Sequence, residues 1–270
     1  MMVAEDRSQV RFRSMVDIGT RTQTLNCMSI GKDLKILYHL ALRPIRGKTH
    51  SERMENFYSG QAEGYDDFRK RLLQGREDVY QELGENVDGG TWVDFGGGTG
   101  SNLEFIGASL SKFQKVYVVD LAESLLGIVN KRCRKNNWTN VEAIAGDATA
   151  WTPPEGSVDV VTFSYSLTMI PDWFAAIDNA IRILKPGGHI GVIDFYVARK
   201  YPMEGLVKHG WSTRSFWPVW FSSDNVFPSP DHIPYLQKHF ETTKLKECRA
   251  KVPYLPLVRT PYYQFVGKKK

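Results

Sequence analysis

The chain has 270 residues, 42% of them hydrophobic and 12% aromatic, with 35 Lys and Arg against 30 Asp and Glu for a formal net charge of +5. This composition excludes wholesale disorder, and so small a charge singles out neither nucleic acid nor an anionic surface as a partner. Cys27, Cys133 and Cys248 are too few and too scattered for a disulfide framework or a metal cluster, so a reducing compartment is expected.

Residues 1–32 carry Arg, Ser and Thr together with Glu5, Asp6 and Asp17, and are expected to form a flexible tail rather than a targeting segment. No run approaches the roughly 20 apolar residues that span a bilayer. The expected location is therefore cytoplasmic, with peripheral contact on the endoplasmic reticulum or another internal membrane left open. From residue 33 to 86 the pattern is helical. Leu34, Leu37, Tyr38 and Leu42 recur at helical spacing before Pro44, a second stretch opens near Thr49-His50-Ser51, and a helix over Glu77–Leu83 precedes the turn Val87-Asp88-Gly89-Gly90. This block is read as a helical cap, and 87–270 as the main domain.

Within that domain, strands and helices alternate as in a doubly wound, mostly parallel α/β sheet of seven strands. A strand runs into Asp94, a glycine loop follows, and a helix comes next. Strands are then expected over 116–120, 141–144, 158–163 and 189–195, with helices over 124–135 and 173–184. The Lys185-Pro186-Gly187-Gly188 turn precedes the fifth strand. Residues 196–234, rich in Trp, Phe, Pro and bases, read as an insertion or lid. A helix over 235–240 and two strands over 243–251 and 262–266 close the chain.

The glycine loop is the most informative feature. A dinucleotide fingerprint would need a third glycine at position 101, which holds Ser101. The spacing is instead Asp94-x-Gly96-x-Gly98-x-Gly100. Glycine lets the backbone approach a ligand closely, and a nearby carboxylate suits a cofactor bearing an ammonium group and no phosphate. Asp120 ends the second strand and can accept two ribose hydroxyls; Gly146-Asp147-Ala148 follows the third. Taken singly, each has a plain structural alternative: Asp94 and Asp120 as helix-capping acids, Gly146-Asp147 as an ordinary turn.

Together, in this order, they resemble class I S-adenosylmethionine-dependent methyltransferases of Rossmann-like fold. The resemblance implies S-adenosylmethionine as cofactor, held by Asp94, Gly96, Gly98, Gly100, Asp120, Leu121, Asp147, Ala148 and Ser164, with Asp147 on the adenine amino group and Leu121 packed on the ring. The fourth strand is followed by Tyr165-Ser166-Leu167, not by the Asn/Asp-Pro-Pro-Tyr or Pro-Cys of base methyltransferases, so nucleic acid is not the expected substrate. The blocks 33–39, 47–58, 61–69 and 73–77 further resemble the methyltransferase portion of betaine lipid synthase. That resemblance implies three N-methylations of diacylglyceryl-homoserine, a glycerolipid substrate, and a partner or fused aminocarboxypropyl-transferase domain. Another amine lipid such as phosphatidylethanolamine, a quinone precursor, and a non-catalytic cofactor-binding regulator are the alternatives.

Tyr58, Tyr65 and Tyr165 are candidates for shaping the site where the amine gains positive charge, since aromatic faces stabilise such cations; helix packing is the other reading for the first two. Arg76 and Arg71 are candidates for a carboxylate of cofactor or substrate, against the commoner fate of a solvated helix face. His39, His50 and His209 are chemically capable proton acceptors that no spacing distinguishes, and no metal site is expected. The Trp211–Phe221 stretch suits a membrane interface or acyl-chain entrance, or else an aromatic lid packed on the core.

Overall fold

The computed structural model describes residues 47–58, 71–253 and 255–270. The expected helix over 34–42, the tail, His39 and Tyr65 lie outside the described residues. The elements are α1 (His50–Tyr58), α2 (Arg76–Asn86), β1 (Gly90–Phe95), a 3₁₀ segment (Ser101–Lys112), β2 (Phe113–Asp120), α3 (Glu123–Asn136), β3 (Val141–Ala145), β4 (Val158–Ser164), α4 (Trp173–Ile183), β5 (Leu184–Phe195), α5 (Trp211–Ser222), α6 (His232–His239), β6 (Phe240–Val252) and β7 (Leu255–Lys269).

The seven strands form one sheet in the order β3-β2-β1-β4-β5-β7-β6. β7 alone runs antiparallel to its two neighbours, β5 and β6, and the remaining pairs are parallel. Helices cover both faces. One apolar layer joins α2, the 3₁₀ segment, α3 and α5 to the sheet through Tyr80, Leu103, Val129 and Phe221. The other joins α4 and α6 through Ile177, Ala180 and Leu236. The central strands are buried on both faces, which is why β1 and β4 read as apolar runs without alternation. The strand order reverses between β1 and β4, so the loops after β1 and β4 diverge and open a crevice at the carboxyl ends of the strands.

Three details differ from the sequence expectation. The segment after the glycine loop is 3₁₀ rather than α, broken at Gly107, whose φ of 59° and ψ of −135° cannot continue any right-handed helix. The Lys185–Gly188 turn sits inside the bounds of β5 as an irregularity: Val158 pairs with Leu184, and the ladder resumes only at Val160 with His189. The last two strands are longer than their apolar cores, because backbone pairing along the β6–β7 hairpin continues from Phe240↔Lys269 to Val252↔Leu255.

The stretch 196–234 contains a helix that weak periodicity concealed. α5 is apolar on two faces, with Trp217 and Phe221 buried one turn apart, and it carries Pro218 in its interior. A two-faced apolar pattern has no single stripe for a 3.6-residue period to reveal.

Candidate functional site: a cleft at the carboxyl ends of β1, β2 and β4

The residues after β1 fold tightly because they are glycines. Gly96 and Gly98 have φ of 64° and 58°, a region that L side chains seldom enter. A Cβ on Gly96 would also lie 2.5 Å from Cβ of Ser166. The loop is pinned to β2 at two points: Gly96 N–H donates to Val119 O at 2.8 Å, and Gly98 N–H donates to Asp120 Oδ2 at 2.9 Å. Ala122 N–H donates to Asp120 Oδ1 at 2.9 Å. Both carboxylate oxygens are thus oriented by backbone donors, and each retains acceptor capacity for a hydroxyl.

This loop floors a solvent-open cleft of about 610 Å³, its mouth included. Asp120, Leu121 and Leu125 form one wall, Gly146, Asp147 and Ala148 a second, and Tyr165, Ser166, Met169 and Ile170 a third, while α1 places His50 and Met54 over it. Asp147 receives Thr149 N–H and Oγ1–H, both at 2.8 Å and both on Oδ1, which leaves Oδ2 for a ligand. Ala148 is held from behind by Asn179 of α4, whose Nδ2 donates to its carbonyl at 2.8 Å. An acidic bidentate acceptor, a second acceptor on an exposed turn and a glycine cradle that a Cβ would fill fit an adenosine-bearing, phosphate-free cofactor.

Gly96, Gly98, Asp120, Leu121, Asp147, Ala148 and Tyr165 are therefore brought together on one cleft. Asp94, Gly100, Ser164 and Arg76 stand outside this lining. Asp94 is fully buried, and its Oδ1 accepts Tyr80 Oη–H at 2.6 Å and Thr162 Oγ1–H at 2.8 Å. Arg76 turns inward, donating to Leu73 O at 2.9 Å and Asn102 Oδ1 at 2.8 Å. Asn102 Nδ2 in turn donates to Tyr80 Oη at 3.2 Å, so Arg76, Asn102, Tyr80 and Asp94 form one buried polar chain behind the glycine loop. Gly100 is the left-handed residue that opens the 3₁₀ segment. Ser164 is buried at the end of β4, and the positive φ of 52° at Tyr165 turns Tyr165 and Ser166, rather than Ser164, toward the cleft.

The side chain of Tyr58 lies outside the described residues. The Tyr165 hydroxyl donates to Gln74 O at 2.8 Å, and burial pushes its pKa well up. It is an aromatic wall, not a proton carrier. Sequence reasoning did not find Met54, Ser166, Met169 or Ile170, because no motif marks them. It named His50 without singling it out. Burial chiefly lowers the His50 pKa, aided by Arg53 and opposed by Asp147, so the ring is neutral at pH 7.

The wall containing Met169 and Ile170 is held by a buried acid. Asp194, at the end of β5, accepts Thr168 N–H at 3.1 Å, Thr168 Oγ1–H at 2.7 Å and Phe195 N–H at 2.8 Å. Desolvation outweighs these donors and raises its pKa to about 7. Between an unfolded value of about 4 and the folded value of about 7, the folded state binds the extra proton, so stability falls as pH rises through that window and is level above it. In thermal unfolding, Asp194→Asn is expected to flatten this slope; an unchanged slope would remove Asp194 as its source.

Comparison with known proteins agrees with this geometry. A family model described as "Methyltransferase domain" matches residues 65–240. The chain is 27% identical over 152 residues to a demethylmenaquinone methyltransferase of Lactococcus lactis, covering 54% of this chain and 60% of that protein. It is 32% identical over 108 residues to the ubiquinone/menaquinone biosynthesis C-methyltransferase UbiE of Escherichia coli O1:K1, covering 40% and 43%. The chain thus spans about half the length of these relatives. Among solved structures, the N-methyltransferase NodS of Bradyrhizobium japonicum WM9 in complex with S-adenosyl-L-homocysteine superposes with a TM-score of 0.55 at 16% identity, over 78% of this chain and 96% of that one. With its sheet order, its glycine cradle and a family match over well more than half its length, the chain belongs to the methyltransferase-domain family, S-adenosylmethionine-dependent enzymes of Rossmann-like fold.

Proposed function

We propose that the chain N-methylates the amine of diacylglyceryl-homoserine to its trimethylated betaine. The observation that carries this reading is the makeup of the third cleft wall. Tyr165, Met169 and Ile170 offer an apolar, aromatic surface whose one hydroxyl is committed to Gln74 O, while the ionisable lining groups, His50, Asp120 and Asp147, stand on other walls. An amine needs little more. Once its proton has passed to water, its lone pair attacks directly, and orientation and desolvation supply the acceleration.

When bound, S-adenosylmethionine supplies an electrophilic methyl group on a sulfonium. In this reading, Asp120 accepts the ribose hydroxyls, Asp147 meets the adenine amino group, and Leu121, Leu125 and Met54 enclose the ring. Neutral His50 adds no positive charge to the cleft. The face of Tyr165 stabilises the ammonium that accumulates as methyls are added, a contribution of about 0.5–2 kcal/mol.

The relatives favour a second reading, C-methylation of a lipid quinol, in which ring activation requires loss of a phenolic proton. Incubating the protein with methyl-labelled S-adenosylmethionine and detergent-dispersed acceptors separates the two. Mass shifts of one, two and three methyls on diacylglyceryl-homoserine, with none on phosphatidylethanolamine or demethylmenaquinone, are expected. Transfer to the quinone alone would establish the second reading.

A further inference from the structure

We infer that the outer face of α5, together with the loop before it, docks this enzyme onto the surface of a bilayer containing anionic lipid. The inference rests on an exposed apolar surface and, for its purpose, on the lipid-acceptor reading above. Among the described residues, eight of the nine large hydrophobic side chains that stay exposed fall within 201–227. Isolated exposed hydrophobics are ordinary, but this concentration in one-tenth of the chain is not.

α5 shows how the surface arises. Its inner face is fixed by stacking: Trp217 on Phe221 at 5.3 Å, Phe221 on Phe195 at 4.6 Å, and Phe195 against Tyr165 of the cleft wall at 4.6 Å between ring centroids. Trp211, Phe216, Val219 and Trp220 occupy the opposite arc, and Trp211 and Val219 are 77% and 75% exposed. Ser212, Ser215 and Ser222 share that exposed arc, so it is aromatic and hydroxyl-bearing and carries no acid. Here one side is core and the other faces water.

The preceding loop has the same character. It is closed at its base, where Ala198 N–H donates to His209 Nδ1 at 3.0 Å and Val207 N–H donates to Glu247 Oε2 at 2.9 Å, and it presents Tyr201 at 75% exposure. Burial lowers the pKa of His209, which leaves its Nδ1 available as the acceptor for Ala198. The ammonium groups of Lys200 and Lys208 lie 5.3 and 5.7 Å from the Tyr201 ring centroid. Over 199–214 four bases, Arg199, Lys200, Lys208 and Arg214, accompany one acid, Glu204; Arg199 pairs with Asp231, which leaves three bases against one acid, a net of +2. Exposed Trp and Tyr beside lysines match an interface where hydrocarbon meets anionic headgroups.

Position connects this surface to the cleft. The segment leaves the carboxyl end of β5, and on its far side Phe227 N–H donates to Thr168 O at 2.8 Å, next to Met169 and Ile170 of the wall. A lipid acceptor in the bilayer would then reach the cleft without leaving the interface. No helix among the described residues is long and apolar enough to cross a membrane, so the contact is of the kind that lies on the surface.

The test is flotation of the full chain with phosphatidylcholine vesicles, with and without anionic phospholipid, at low salt. Binding is expected, stronger with the anionic lipid. Trp211→Ser/Val219→Ser should lower the partition coefficient about tenfold or more, and Lys200→Glu/Lys208→Glu should remove most of the preference for anionic lipid. Both variants should methylate a detergent-dispersed acceptor as the parent does, which keeps failure of docking distinct from failure of the acceptor assignment. Absence of vesicle binding overturns the inference. So does self-association that the Trp211→Ser/Val219→Ser variant abolishes without any vesicle binding, which would make this face a contact between copies.

Discussion

Asp120→Ala is expected to weaken S-adenosylmethionine binding about a hundredfold, with S-adenosyl-L-homocysteine affected equally. The carboxylate is held by Gly98 N–H and Ala122 N–H, both at 2.9 Å, and stands on the cleft wall with acceptor capacity for two hydroxyls. Hydrogen bonds to a charged acceptor contribute about 1.5–3 kcal/mol each, and a loss of about 2.7 kcal/mol is a hundredfold in affinity. Alanine also releases the Gly98 donor, loosening the loop at the point where Gly96 and Gly98 take their positive φ. Asp120→Asn keeps one oxygen but sets an amide N–H against one of the two backbone donors, so an intermediate loss of about tenfold is expected. Calorimetric titration measures both. Unchanged affinity in Asp120→Ala would remove this residue from the cofactor site.

Much of this site was readable because chemistry there depends on backbone position. A glycine loop that must reverse at positive φ, an acid at a strand end and a Gly-Asp-Ala turn leave marks at fixed spacing, and Gly96, Gly98, Asp120, Asp147 and Ala148 do line one cleft. The parallel strands were legible for a related reason, since burial on both faces writes a continuous apolar run. What sequence could not rank was direct contact against support. Asp94 and Arg76 are charged residues near the motif, and only side-chain direction shows that both turn into the layer between α2, β1 and the 3₁₀ segment. The third wall was invisible for another reason. Met169 and Ile170 reach the cleft through a short turn held by Asp194, a contact 26 residues distant in the chain. His50, for its part, arrives on a helix whose spacing predicts a face but not what that face covers.

Asp94 gives the sharpest separation of those two roles. Its Oδ1 accepts two hydroxyl donors inside the fold, Tyr80 Oη–H at 2.6 Å and Thr162 Oγ1–H at 2.8 Å, and Thr162 Oγ1 itself accepts Trp92 Nε1–H at 2.8 Å. Asp94→Ala leaves those buried hydroxyls without their acceptor and opens space under the glycine loop, where a Cβ on Gly97 would lie 2.8 Å from Asp94 Oδ2. The expected cost is about 3–5 kcal/mol, a fall of about 10 °C or more in Tm for a chain of this size. Asp94→Asn retains Oδ1 for both hydroxyls and removes only the charge, so most of the stability should return. If Asp94 serves by supporting the loop, the asparagine variant binds S-adenosylmethionine within about threefold of the parent, a difference of about 0.6 kcal/mol. Intact Tm with affinity lost a hundredfold would instead mean that the carboxylate reaches the cofactor's ammonium, and that the buried polar chain behind the loop is secondary to that contact.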